Sequence, residues 1–147
     1  GWAGWRRSLE GYDSNLKNQM EKNNTWKSNV FNRTDVRPIK YFQKAFEAVA
    51  NGEIDTWDTQ LQYLLWQNKQ QVIVSSKNLI RNIGWTQGAH AQTKDQNHDL
   101  PTSEIGFPLT SPEIVERDVK ADKEIELKSY RITILSFLKS QLRKLVP

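Results

Sequence analysis

The chain of 147 residues has no cysteine and a single methionine. Without thiols it can form neither a disulfide framework nor a thiolate metal site, which fits a reducing compartment. Histidine is almost as scarce: His90 and His98 lie in one aperiodic stretch with no third ligand in register, and they read as surface residues. No apolar run approaches the roughly 20 residues that span a bilayer. Nor does Gly1 open a charged-then-apolar leader, so the start reads as a fragment or a processed end. Gly-rich phosphate loops, helical metal-binding histidine pairs and serine elbows are all missing. So are the RNA-recognition consensus and a helix-turn-helix pattern, and no nucleic-acid partner is expected.

What is present is enough for one modest core, with 37% hydrophobic and 26% charged residues. The net charge of +4, from 21 basic against 17 acidic residues, favours anionic partners without choosing among nucleotide phosphates, nucleic acid and lipid headgroups.

Periodicity organises the chain around Ile54 to Trp66. Asp55 and Thr56 are capping types, and Trp57, Leu61, Leu64 and Leu65 come after them at helical spacing, predicting a helix from about Asp55 to Asn68 with Asp58 in its first turn. Val72, Ile73 and Val74 are β-branched and continuous, predicting a strand over Gln71 to Ser75, with Asn78 to Asn82 as extended chain. Next comes a long loop from Gly84 to Leu109, and loops of that length are usually functional or disordered.

Upstream, Trp2, Trp5 and Leu9 predict a short helix ending near Gly11. The two tryptophans read as core or as a sugar-stacking platform. Ser14 to Thr34 reads as a partly helical surface connection with Trp26, Val30 and Phe31 as its strong apolar residues. Pro38, Ile39, Phe42, Phe46 and Val49 predict a packing helix closed by Asn51-Gly52. Downstream, Ser111-Pro112-Glu113 predicts a helix running to about Asp122. From Leu127 to Val146, Tyr130, Ile134, Phe137, Leu138, Leu142 and Leu145 share one side. Leu127 to Pro147 carries Lys128, Arg131, Lys139, Arg143 and Lys144 and no acid. This basic amphipathic tail either lies on an anionic membrane surface or covers an apolar groove of its own protein.

Three motifs in order, Gly1-Trp-Ala-Gly-Trp-Arg-Arg7, Ile54-Asp-Thr-Trp-Asp58 and Asn78-Leu-Ile-Arg-Asn-Ile-Gly-Trp85 with Ala89-His90, resemble the C-terminal half of family 2-like nucleotide-diphospho-sugar glycosyltransferases of bacterial polysaccharide clusters. Pro108 to Asp122 resembles the next segment of those proteins. The resemblance covers residues 1 to about 122. It implies an α/β fold, namely the mostly helical acceptor-side part of a GT-A fold with a few short strands and a long loop. It also implies two parts, residues 1–122 from the transferase domain and residues 123–147 as a basic amphipathic helix.

The implied activity is hexosyl transfer from a nucleotide-diphosphate donor to a glycan or lipid-linked acceptor, in the cytoplasm or peripherally at the inner face of the membrane. On its own Asp58 reads as a charge on a helix start, whereas the resemblance makes it the general base that deprotonates the acceptor hydroxyl. Asp55 is the second carboxylate. Trp2, Trp5, Trp57 and Asp55 would shape the acceptor pocket, and Arg81, Asn82, Gly84, Trp85 and His90 a donor loop that closes and excludes water. The family's nucleotide-binding half and its Asp-x-Asp metal motif have no match here. A divalent manganese or magnesium ion is therefore expected only in an intact, longer enzyme, and this chain alone is expected to be inactive. The alternative function is a non-catalytic basic, Trp-rich binding module for nucleic acid or an anionic membrane surface.

Overall fold

A computed structural model of the chain describes residues 3–22, 24–31, 35–81 and 101–142. They form two compact units, one of Gly1–Gln71 with Arg117–Pro147 and one of Val72–Glu116.

The first unit is all helix. A short 3-10 helix, Arg6–Leu9, precedes α1 (Leu16–Lys22), α2 (Trp26–Val30), α3 (Val36–Ala50), α4 (Asp58–Gln67), α5 (Val119–Lys128) and α6 (Ile134–Leu142). Longest of these, α3 is amphipathic as its sequence predicts, burying Pro38, Phe42 and Phe46. Its start lies two residues before Pro38, because the Asp35 side chain caps it by accepting from the Arg37 N–H while also gripping the Arg37 guanidinium. Its end is a Schellman turn. Glu53 N–H donates to the Ala48 carbonyl and Gly52 N–H to that of Val49, with Gly52 at φ 74° in the left-handed region glycine tolerates. The same closure ends α4, but there Lys69 takes the left-handed position, at φ 54°.

Trp26 is the centre of the core. It is 0% exposed and packs edge-on against Phe46 at 5.0 Å and Phe31 at 6.0 Å, while stacking on Trp66 at 5.9 Å. Polar clamps fix the same contact: the Trp26 N–H donates to the Gln67 side-chain oxygen, and the Asn29 amide donates to the carbonyls of Trp66 and Gln67. The Asn- and Lys-rich connection from Ser14 to Thr34 thus carries the largest fully buried side chain among the described residues.

Several expectations are corrected. Helix accounts for 51% of the described chain and no strand occurs in it, which does not fit the α/β, GT-A architecture with short strands. Val72, Ile73 and Val74 are 68%, 85% and 77% exposed and irregular. A β-branched run becomes a strand only where a neighbouring strand satisfies its amides, and no such neighbour exists among the described residues. The described residues of the second unit are irregular and are tied at Asn78, whose carbonyl accepts from Ser103 N–H and whose amide donates to the Pro101 carbonyl.

No helix begins at Ser111. The helix starts at Val119, where the Asp118 carboxylate caps the N–H groups of Lys120 and Ala121. A cap that satisfies two amides outweighs a proline start that has no apolar face to bury. The boundary expected at residue 122 falls inside α5. The tail beyond it is two helices, α5 and α6, broken where Ile132 turns inward to the core and Arg131 adopts φ 53°. No described helix is long and apolar enough to cross a membrane.

Candidate functional site

The start of α4 and the outer side of α3 bound a groove of about 400 Å³ lined by Tyr41, Phe42, Ala45, Asp58, Thr59, Gln62 and Tyr130. Three parts of the chain build it. Tyr41, Phe42 and Ala45 lie together on α3, where burial of Phe42 and Phe46 in the core turns Tyr41 outward. Asp58 and Gln62 are four residues apart on α4 and so share one face. Tyr130 comes from the turn after α5, its ring 5.6 Å from Tyr41 and 5.1 Å, edge-on, from Phe42.

Asp58 is the first residue of α4, with Trp57 rather than Asp55 or Thr56 at the N-cap. Its carboxylate is exposed in the first turn of the helix. The Thr56 hydroxyl donates to it and the Thr59 hydroxyl lies 3.4 Å away. Behind Thr56, the buried Gln60 amide donates to the Thr56 carbonyl at 2.6 Å and to the Ser14 carbonyl at 3.4 Å. Gln60 thus holds the backbone that presents the Thr56 hydroxyl to Asp58. Its own side-chain oxygen is buried with no hydrogen-bond partner. The Tyr41 phenol is held above its usual 10.0, first by burial and then by the neighbouring Tyr130, and so stays protonated as a hydrogen-bond donor at neutral pH.

The arrangement offers one carboxylate, an amide and hydroxyls beside aromatic rings. Such a mixture suits a ligand with polar edges and apolar faces, and the groove's size lies within the roughly 300–1,000 Å³ usual for small-molecule sites. Asp58, the expected base, lines this groove, whereas none of the described residues expected to shape the acceptor pocket does. Asp55 is exposed outside the lining, and Trp57 is exposed with its carbonyl accepting from the Tyr12 hydroxyl at 3.2 Å. Trp5 is 70% exposed, its ring faced by the Arg7 guanidinium, so burial is not its role. Trp2 lies outside the described residues.

Arg81 is exposed in the second unit, and Asn82, Gly84, Trp85, His90 and His98 lie outside the described residues. Among the described residues no group of three or more His, Cys, Asp or Glu stands together, so they supply no donor set for a divalent cation.

Sequence periodicity did not single out Tyr41, Gln60 or Gln62, and it placed Tyr130 on the apolar side of the tail and not at a site. The available signals were Gln62 one helical turn from Asp58 and Tyr41 directly beside a core phenylalanine. No protein-family model matches the chain, and neither does any curated protein or solved structure.

Proposed function

We propose that this chain is the acceptor-side part of a glycosyltransferase that moves a sugar from a nucleotide-diphosphate donor to a glycan or lipid-linked acceptor, with Asp58 as general base. The observation that carries the proposal is the position of Asp58: the residue matching the family's Trp-Asp motif is the carboxylate that lines an aromatic groove, held by Thr56. In an inverting transfer the acceptor hydroxyl oxygen forms a bond to the anomeric carbon as the bond to the donor phosphate breaks. The electron pair leaves with the nucleotide diphosphate, and the hydroxyl proton passes to Asp58. Tyr41 and Tyr130 would contact a sugar ring, and Gln62 would hydrogen-bond its hydroxyls. The proposal concerns the reaction and does not restore the sheet-containing architecture, which the helical fold corrects.

The donor site and its metal belong, in this reading, to a longer enzyme. Calorimetric titration of the isolated chain with nucleotide sugars and manganese should give no micromolar binding, whereas the longer enzyme should bind and transfer. Micromolar donor binding by the isolated chain contradicts the fragment reading, and a longer enzyme without transferase activity contradicts the reaction.

A further inference from the structure

We propose that α6 is a docking surface for an anionic lipid bilayer, lying in the plane of the headgroups. The inference is independent of the role of Asp58. Ile134, Leu135, Leu138 and Leu142 on α6 are 64%, 62%, 52% and 61% exposed. At about 100° per residue these four occupy a single arc of about 100°, the width of an amphipathic face. The helix holds the first unit by another side: Phe137 is half-buried, with the Lys40 ammonium of α3 5.2 Å from its ring centre. Thr133 and Ser136 cap the start through reciprocal backbone and side-chain hydrogen bonds. The helix is therefore positioned while its aliphatic arc faces outward.

Charge identifies the occupant. Lys139 borders the arc on one edge, and Phe137 with exposed Lys40 borders it on the other. Leu127 to Pro147 contains five basic residues and no acidic one. Lys128 is engaged with Glu124 at 2.9 Å, and among the described residues Lys40 and Lys139 border the arc. An aliphatic centre with lysines on both edges matches an interface where side chains enter the acyl boundary and ammonium groups reach anionic headgroups. A neutral or cationic surface would leave those lysines without attraction. At nine residues, about 14 Å long, α6 is far too short to cross a bilayer and suits an in-plane position.

The test is flotation of the full chain with vesicles of phosphatidylcholine alone and of phosphatidylcholine mixed with phosphatidylglycerol, at low and high salt. Two lysines at the surface should make the anionic vesicle roughly tenfold to thirtyfold the better partner, an advantage that shrinks as salt rises. Leu138→Glu should abolish flotation, and Lys139→Glu should reduce it toward the level on neutral vesicles. Both positions are exposed, so circular dichroism and the melting temperature should be unchanged. Should Leu138→Glu prove unfolded, Lys139→Glu alone decides. Equal flotation on both vesicles, or full flotation of a folded Leu138→Glu chain, overturns the proposal. So does a dimer in sedimentation that Leu138→Glu dissolves while the wild-type chain fails to float, which would assign the face to a second copy.

Discussion

The Thr56 hydroxyl, one residue before the Trp57 N-cap, donates to the Asp58 carboxylate at the start of α4, and the buried Gln60 amide holds the Thr56 carbonyl from behind. Thr56 thereby fixes the direction of the carboxylate without itself lining the groove. In the longer enzyme proposed above, with Asp58 as its base, Thr56→Val should lower the rate of transfer about tenfold at saturating donor, with donor affinity unchanged, and Thr56→Ser should restore most of the rate. A misplaced base costs on this scale because proton transfer depends on reach and angle. The check is a comparison of kcat and donor KM for the three proteins. An unchanged kcat in Thr56→Val removes Thr56 from the positioning role.

Trp26 should dominate stability. Four aromatic partners, Phe31, Phe46, Tyr63 and Trp66, surround it, and a methyl group in its place leaves a cavity that no neighbour can fill. Trp26→Ala should cost about 3–5 kcal/mol in urea unfolding of the chain. Trp26→Phe should cost clearly less, because the indole N–H has no hydrogen-bond partner and its loss leaves no acceptor stranded. Equal costs for the two variants would mean that the ring contacts are not what stabilises the core.

Alkaline pH should unfold the chain earlier than simple charge repulsion requires. Burial raises the Tyr63 phenol above its usual 10.0, and burial with the nearby Tyr130 does the same for Tyr41. A group whose folded pKa is raised contributes stability that is complete below the unfolded value and lost as pH rises through the folded one. The melting temperature should therefore fall as pH rises above about 10, the ordinary tyrosine value. Tyr63→Phe, although it changes the core, should flatten that fall. A slope identical to wild type in Tyr63→Phe would place the alkaline transition elsewhere.

The α3 helix was legible because every signal for it is local: an apolar stripe at helical spacing and an Asn-Gly stop. Asp58 was legible as a first-turn carboxylate for the same reason. The face α4 buries was not. Of the expected face Leu64 is buried, but Gln60 and Tyr63 point inward with it while Trp57 is exposed, because Trp26 and Phe46, far away in sequence, supply the surface against which the helix packs. The strand expected over Gln71 to Ser75 failed for a related reason, since strand formation depends on a partner that local sequence cannot supply. Tyr130 joins the groove only because the chain turns at Arg131 and buries Ile132, a break that the uninterrupted apolar pattern of the tail conceals. The groove itself is a meeting of residues 41, 58 and 130, and no window of sequence spans it.

The decisive measurement is transfer by the longer enzyme proposed above carrying Asp58→Asn, with donor binding followed by calorimetry on the same preparation. The amide keeps the shape of the side chain at an exposed helix start and cannot accept the acceptor's proton. Transfer should fall by about 10²–10⁴-fold, the usual contribution of a positioned general base, while donor affinity and melting temperature stay within error of wild type. Retained turnover in a folded, donor-binding Asp58→Asn enzyme would contradict the assignment of Asp58 as the base.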